Sequence, residues 1–340
     1  MPYLKKLFLN ISRLNKRGAL LERGDRVLIA VSGGPDSMAL LHLLMFFKRK
    51  LRLELAVAHV HHGLQRQNDL ALGLVRRTAS ELGLPCRFLK ADVRKLAQKE
   101  KRSLEEAGRM LRYSFFEATA RRLGMNKIAT AHTLDDQAET LLMRIARGSG
   151  LRGLTGIHPA RRQGSALVIR PLLLCSKKEL LGYLKYEKIP YLVDRSNRDE
   201  VFTRNRIRAK LIPWLEKNLN ASVKDALMDL QHSCERAQTH LEGLADRKFR
   251  TLPVKKRKRS VGAPIASLKR LDPAILSEVL RRMYSEVRGD GNAITAAHRF
   301  GMEELLVSSA RSGQLDLPGA IRARREGSWL WIEKKARQAD

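Results

Sequence analysis

The sequence predicts an α/β fold, a parallel sheet with helices on both faces, followed by a smaller α+β C-terminal domain. Three observations carry that expectation. Short apolar, β-branched runs alternate with stretches of helical length as far as about Pro213. A polar turn, SGGPDS, sits between the first such run and the helix after it. Beyond residue 250 the alternation gives way to helices and then to closely spaced two-residue-period segments. The 340 residues suit two domains. The boundaries read as residues 1–214 for a catalytic domain, 215–250 for a helical connector and 251–340 for a small C-terminal domain.

The elements follow in order. Leu4, Leu7, Phe8, Ile11 and Leu14 fall on one face of an N-terminal helix, with Lys5, Lys6, Arg13 and Lys16 elsewhere. Structural helix is the main reading and an organellar transit peptide the second, because the first acidic residue is Glu22. Val27–Val31 and Leu53–Val60 read as strands, residues 68–82 as helix and Pro85–Leu89 as strand. An Arg-rich helix spans Glu105–Leu123, Lys127–Ala131 is a short strand, and DDQAETLLMRIA is helical. Past the connector, Pro273–Tyr284 and Ala296–Ser308 read as helices, and LDLPG/IRARREG/SWLWIE as a β-meander.

Charge narrows the partners. Lys and Arg total 66 against 35 Asp and Glu, a net +31. Such a field attracts polyanions, and a nucleic acid is the partner it fits best, ahead of an acidic membrane surface. No apolar run is long enough to span a membrane. Cys86, Cys175 and Cys234 are far apart and form no C-x-x-C, which argues against disulfides, zinc or an iron–sulfur cluster and for a cytoplasmic location.

Two segments carry chemistry. Ser32, Gly33, Gly34, Pro35, Asp36 and Ser37 lie where backbone N–H groups and a helix N-terminus hold an anion. The serines offer hydroxyls, and Asp36 suits a magnesium ion between phosphates. No lysine follows the glycines, so this is not the G-x-x-x-x-G-K-[ST] loop. In the second segment, ATAHTLDDQAET, Asp136 and Glu139 share a helix face three residues apart, suited to an ammonium group or magnesium. An acidic first turn favoured by the helix dipole is the plain alternative. His59, His61 and His62 lack a cysteine or carboxylate at ligand spacing and are not read as a metal site.

These segments, with HHGL (His61–Leu64), EAGRMLRY (Glu106–Tyr113), RGSGLRGLTGI (Arg147–Ile157), RPLL (Arg170–Leu173) and DRSNRDEVFTRNRIR (Asp194–Arg208), resemble tRNA(Ile)-lysidine synthetase. That family belongs to the PP-loop, N-type ATP pyrophosphatases, so the resemblance implies an adenine nucleotide α-hydrolase-like fold. It also implies a C–N ligase. The wobble cytidine of tRNA(Ile) with a CAU anticodon attacks ATP, releasing pyrophosphate, and free L-lysine then displaces AMP to form lysidine, so the tRNA reads AUA in place of AUG. ATP is the implied co-substrate and Mg2+ the implied metal, held by Asp36.

On the same basis Asp36, Arg112, Asp136, Glu139 and Arg204 are the expected catalytic residues, with Asp136 and Glu139 holding the lysine. Nucleotide contacts are expected from Ala30, Val31, the loop Ser32–Ser37, His62 and His132, with a hydrogen-bonded structural histidine the close alternative for the last. Expected tRNA contacts are Arg147, Arg152, Arg206, Arg208, Lys255, Lys256 and Arg257. Longer members carry a further C-terminal domain, which this sequence is expected to lack, and a homodimer is compatible with the reading. A tRNA thiolase, an enzyme using another amine, and an RNA-binding protein switched by ATP are the alternatives.

Overall fold

The computed structural model describes residues 2–61, 66–193, 203–289 and 294–335. The chain divides into two compact units. One comprises Met1–Gly148 with Gly156–Leu230, the other Ser149–Thr155 with Gln231–Asp340.

The first unit is built on a sheet of β1 (Arg26–Ala30), β2 (Glu54–His61), β3 (Cys86–Lys90), β4 (Lys127–Ala129), β5 (Ala160–Gln163) and β6 (Ala166–Ile169), in the order β3-β2-β1-β4-β6-β5. All neighbours pair in parallel except β5, which runs antiparallel to β6 at the edge. That edge hairpin escapes the sequence reading because ARRQ is polar. Its turn is Gly164-Ser165, and Gly164 takes the φ of +55° that a tight hairpin turn requires.

Successive residues of β1 face opposite sides, so each side of the sheet needs its own cover. Val27 and Ile29 enter a core with Leu55 and Val57, closed by α1 (Pro2–Gly18), α2 (Pro35–Leu51), α3 (Arg66–Glu81) and α8 (Lys177–Tyr186). Leu28 enters the opposite core with Ala56, Ala58, Ile128 and Val168, covered by Phe116 and Ala120 of α5 (Leu104–Arg122). Before α5 comes α4 (Val93–Lys99), whose Val93 and Ala97 pack on Ala107. The remaining helices of this unit are α6 (Leu134–Ala146), α9 (Thr203–Arg206) and α10 (Ile212–Asn218), the last two joined by a single π-helical turn, Ile207–Leu211.

The short α7 (Leu151–Leu154) belongs to the second unit, and α11 (Val223–Thr251) contributes to both. The second unit has an antiparallel sheet ordered β7-β8-β11-β10-β9, from β7 (Lys255–Arg257), β8 (Ser260–Pro264), β9 (Ser312–Leu317), β10 (Ile321–Glu326) and β11 (Trp329–Lys334). With it come α12 (Ile265–Lys269), α13 (Pro273–Arg288) and α14 (Ala296–Val307), which bury Leu268, Val279, Leu280, Met283, Tyr284 and Met302. The meander is present as read. Lys255, Lys256 and Arg257, expected only as tRNA contacts, form the edge strand β7.

The N-terminal helix is core. Leu7, Ile11 and Leu14 are 0, 2 and 4% exposed, and Phe8 packs edge-on against Phe46 and Phe47. Replacing Leu7 by Ala should therefore cost ~2–5 kcal/mol of unfolding free energy, whereas exposed Lys5→Ala should change it by less than about 0.5 kcal/mol. Urea denaturation of the two variants checks this, and equal, small effects would contradict the packing.

A candidate active site where the strand order reverses

The chain leaves the central strand β1 toward β2 on one side and reaches β4 on the other, which makes the gap above β1 and β4 the topological switch point of the sheet. Ile29 pairs with Ala129, so the segments after these two parallel strands emerge side by side. They are the two polar segments singled out in the sequence. Between them opens a cavity of about 580 Å³, lined on one side by Ala30, Val31, Ser32, Gly34, Pro35, Asp36 and Ser37 and on the other by Thr130, Ala131, His132 and Asp136. Glu105, Arg109, Arg112, Lys177, Arg204 and Arg208 complete its charged lining.

The loop is locked by its own hydroxyls. Ser37 Oγ accepts from the Ser32 N–H at 3.1 Å and donates to the Gly34 carbonyl at 2.9 Å, and the two serine hydroxyls lie 3.1 Å apart. Gly33 takes a φ of +87°, and its carbonyl accepts from Leu192 N–H at 2.9 Å. It shapes the loop without lining the cavity. Helix α2 starts at Pro35 with no side-chain cap, which leaves its first N–H groups for an anion. Asp36 stands in that first turn, and its Oδ1 is buried with no hydrogen-bond partner among the described residues.

Opposite, Thr133 caps α6 in a reciprocal box with Asp136, whose Oδ2 accepts from the Thr133 N–H at 2.8 Å and its hydroxyl at 2.9 Å. Glu139, one turn on, has a side chain only 1% exposed. Its Oε2 accepts from Arg204 Nε at 2.6 Å, and its Oε1 from Arg208 Nε at 2.6 Å. Arg204 Nη2 also reaches Asp136 Oδ1 at 2.9 Å. Lys177 Nζ stands 3.7 Å from Asp136 Oδ1 and 3.8 Å from Glu139 Oε1. Burial works to raise the Asp136 carboxyl, but Lys177, Arg204 and the Thr133 N–H outweigh it and hold it below its ordinary value. Asp136 thus grips cations and is a poor proton acceptor.

The other expected residues fall as follows. Arg112 lines the cavity, with its Nε 3.3 Å from the Gly108 carbonyl. His132 lines it too, within 3.1 Å of Thr130 Oγ1; burial, with Arg170 adding to it, pushes its imidazole down to about 4, so it is neutral at pH 7. His62 lies outside the described residues. Glu139 does not line the cavity but backs Arg204 and Arg208, which do. Arg208, expected to touch tRNA, is drawn inward by Glu139. Arg147 and Arg206 are exposed. In the second unit Arg152 is paired with Glu242 and lies 3.6 Å from Glu278. Lys255 and Arg257 sit over the rings of Trp329 and Trp331 at 4.4 and 4.1 Å, while Lys256 pairs with Glu286 at 2.7 Å.

Two features went unread. Lys177 looks in sequence like an ordinary lysine opening a helix. Tyr113, its ring flanked by Arg109 at 5.0 Å and Arg161 at 5.4 Å, also lines the cavity. Only the R-x-x-x-Y spacing on α5 hinted at the first of these contacts. No group of three or more His, Cys, Asp or Glu able to hold a metal occurs among the described residues, and no cysteine lines the cavity.

Burial, reinforced by Asp136 and Asp135, outweighs Lys177 and Arg208 and pushes the Asp36 carboxyl up to about 6. A carboxyl raised in the folded state binds its proton more tightly there than in the unfolded chain. Ionising it therefore destabilises the fold, increasingly from pH 4 to 6 and fully above 6. Asp36→Asn should stabilise the metal-free protein at pH 8 by on the order of 1–3 kcal/mol, with the gain fading below pH 6. Denaturation in a chelator at both pH values checks this; a gain independent of pH would contradict it.

Comparison with known proteins places this arrangement. A PP-loop domain model matches residues 5–215. The chain is 34% identical over 284 residues to a tRNA(Ile)-lysidine synthase of Clostridium perfringens, covering 83% of this chain and 60% of that protein. It is 32% identical over 333 residues to that of Caldanaerobacter subterraneus, covering 98% and 69%. Among solved structures, a U34-tRNA thiolase from Methanococcus maripaludis shares the fold, with a TM-score of 0.55 at 16% identity over 70% of this chain and 79% of that one. Domain match and relatives agree: the chain belongs to the PP-loop family and, within it, to the tRNA(Ile)-lysidine synthases.

Proposed function

We propose that this chain joins free L-lysine to C2 of the wobble cytidine of a tRNA(Ile) with a CAU anticodon, in two steps driven by ATP. The observation that carries the reading is the convergence of the serine–glycine loop and the Asp136 cluster on one cavity at the switch point. The cavity and the relatives at 32–34% identity support it together.

In the first step the loop Ser32–Ser37 and the uncapped start of α2 hold the triphosphate by N–H and hydroxyl donors. The unpartnered Asp36 Oδ1 suits magnesium, which takes one or two carboxylates and fills its shell with phosphate and water oxygens. Bound there, magnesium neutralises phosphate charge. The cytidine O2 attacks the α-phosphate and pyrophosphate leaves. Arg112 and Arg204, planar donors lining the cavity, stabilise the developing phosphate charge. In the second step the ε-amine of lysine attacks C2 and AMP departs. Asp136 Oδ1 receives the ammonium form of that amine, which releases a proton to water before it attacks, while Glu139 holds Arg204 and Arg208 in place from behind. Neutral His132 serves the nucleotide as a hydrogen-bonding wall.

Exposed Arg147 and Arg206, with the cations of β7, supply contacts to the tRNA backbone in a cytoplasmic setting. No helix among the described residues is long and apolar enough to cross a membrane.

Incubation with labelled lysine, ATP and magnesium should label a tRNA(Ile) transcript with a CAU anticodon and leave elongator tRNA(Met) unlabelled. Asp36→Ala should abolish AMP release. Release of AMP with no lysine incorporated would keep the adenylation and overturn the choice of nucleophile. Binding of tRNA should weaken by roughly 0.7–0.9 of a logarithmic unit per phosphate contact for each tenfold rise in salt, and a flat response would remove the basic surface from the docking site.

A further inference from the structure

We propose that Lys177 is an internal place-holder for the ammonium group of the substrate, and that ATP must draw it aside before free lysine binds. The inference rests on the reading of Asp136 as the lysine-binding carboxylate.

Asp136 has one oxygen to offer. Oδ2 is spent on the N–H and hydroxyl of Thr133 at the start of α6. Oδ1 faces the cavity and is already shared by Arg204 at 2.9 Å, Arg208 at 3.5 Å and Lys177 at 3.7 Å. A fourth cation at that oxygen meets three like charges, so one of them has to yield.

The arginines are not free to do so. Both are hydrogen-bonded to Glu139, whose side chain is 1% exposed, and their departure would leave a buried carboxylate unpaired. Lys177 is differently placed. Its ammonium stands 3.7 and 3.8 Å from the carboxylates, beyond direct hydrogen-bond distance, with its side chain 24% exposed. Its backbone is fixed, since its N–H donates to Asp135 Oδ2 at 2.7 Å and it is the first residue of α8. A pinned root and a mobile four-carbon stem let the tip swing without disturbing the fold.

The same cavity holds the anion that would move it. Lys177 lines the space beside Ser32, Gly34 and Asp36, where the triphosphate docks in the proposed reaction. In the cluster at Asp136, the carboxylates of Asp36, Asp136 and, behind them, Glu139 meet Lys177, Arg204 and Arg208, so this cluster is balanced, while Arg109 and Arg112 add positive charge elsewhere in the lining. Phosphates upset that balance, recruit the loosest cation and vacate Asp136 Oδ1. Nucleotide and lysine then bind cooperatively, and linkage requires each to tighten the other by the same factor. The amine is thereby held off until the nucleotide is in place.

Calorimetric titration of L-lysine into the full chain, with and without magnesium and a non-hydrolysable ATP analogue, tests this. Wild type should bind lysine about tenfold more tightly with the analogue, within the 5–150-fold range of such couplings. Lys177→Met should bind lysine without the analogue as tightly as wild type does with it, and Lys177→Arg should keep the coupling. A merely structural lysine would weaken binding when removed, never strengthen it. Should Lys177→Met lose the analogue, its titration without nucleotide still decides. Wild-type affinity indifferent to the analogue, or a Met variant no tighter than wild type in its absence, would overturn the place-holder. Normal analogue binding with no lysine bound in either state would instead overturn the lysine-site reading, and this inference with it.

Discussion

A carboxylate buried as completely as Glu139 has to be neutralised where it stands, and much of the first unit is arranged around that need. Stripping an ion of water costs several kcal/mol, regained only through close, well-aligned partners. Glu139 has them in Arg204 and Arg208, which sit 65 and 69 residues further along the chain. The pairing therefore fastens α9 and the π-helical turn onto α6. The two arginines are four residues apart; Arg204 donates to Oε2, and Arg208 grips both oxygens, Nε to Oε1 at 2.6 Å and Nη2 to Oε2 at 3.0 Å. The widened turn beginning at Ile207 lies just where the second of them is presented, as such turns often do at functional sites.

The neighbouring acids of α6 extend the same logic. Asp135 accepts from the Lys177 N–H at 2.7 Å and meets Lys224 Nζ at 2.9 Å, so it fastens α8 and the start of α11. Asp136 caps its own helix with one oxygen and faces the cavity with the other. Three acids within five residues thus hold four separate segments, and the cavity wall is a by-product of that fastening. The contrast with Asp36 is instructive. Among the described residues its Oδ1 is buried without a partner, a costly arrangement that a bound cation would complete.

How far was this legible in the sequence? The parallel sheet, the loop after β1 and the acidic start of α6 all follow from local periodicity and residue type, and each stands where it was read. The 3.6-residue period put Asp136 and Glu139 on one face. It could not tell which of the two points into the cavity, because that depends on arginines brought in by tertiary structure. Lys177 was invisible for the same reason: SKKELL advertises a capped helix start and says nothing of what lies across from it. The polar ARRQ edge strand broke the apolar pattern on which strand reading relies. The motif RGSGLRGLTGI falls within the residues 1–214 expected as one domain, but residues 149–155 group with the second unit, where Arg152 meets Glu242 and Glu278. KKRKR is uniformly basic and carries no two-residue period; only the seating of Lys255 and Arg257 over Trp329 and Trp331 marks it as a strand.

The excess of positive charge and the chemistry of the cavity act at different levels. A net charge of +31 invites a nucleic acid, yet Lys177, Arg204 and Arg208 are already engaged by Asp136 and Glu139. Attraction of a polyanion then draws on side chains not already spent on buried acids, such as exposed Arg147 and Arg206. The pairing of that cluster has a further effect. A phosphate that recruits one of its three cations must rearrange existing pairs to be held. Ligands that arrive with the geometry to do so are favoured over those that bring charge alone, and selectivity follows from the cost of exchange instead of from the strength of attraction.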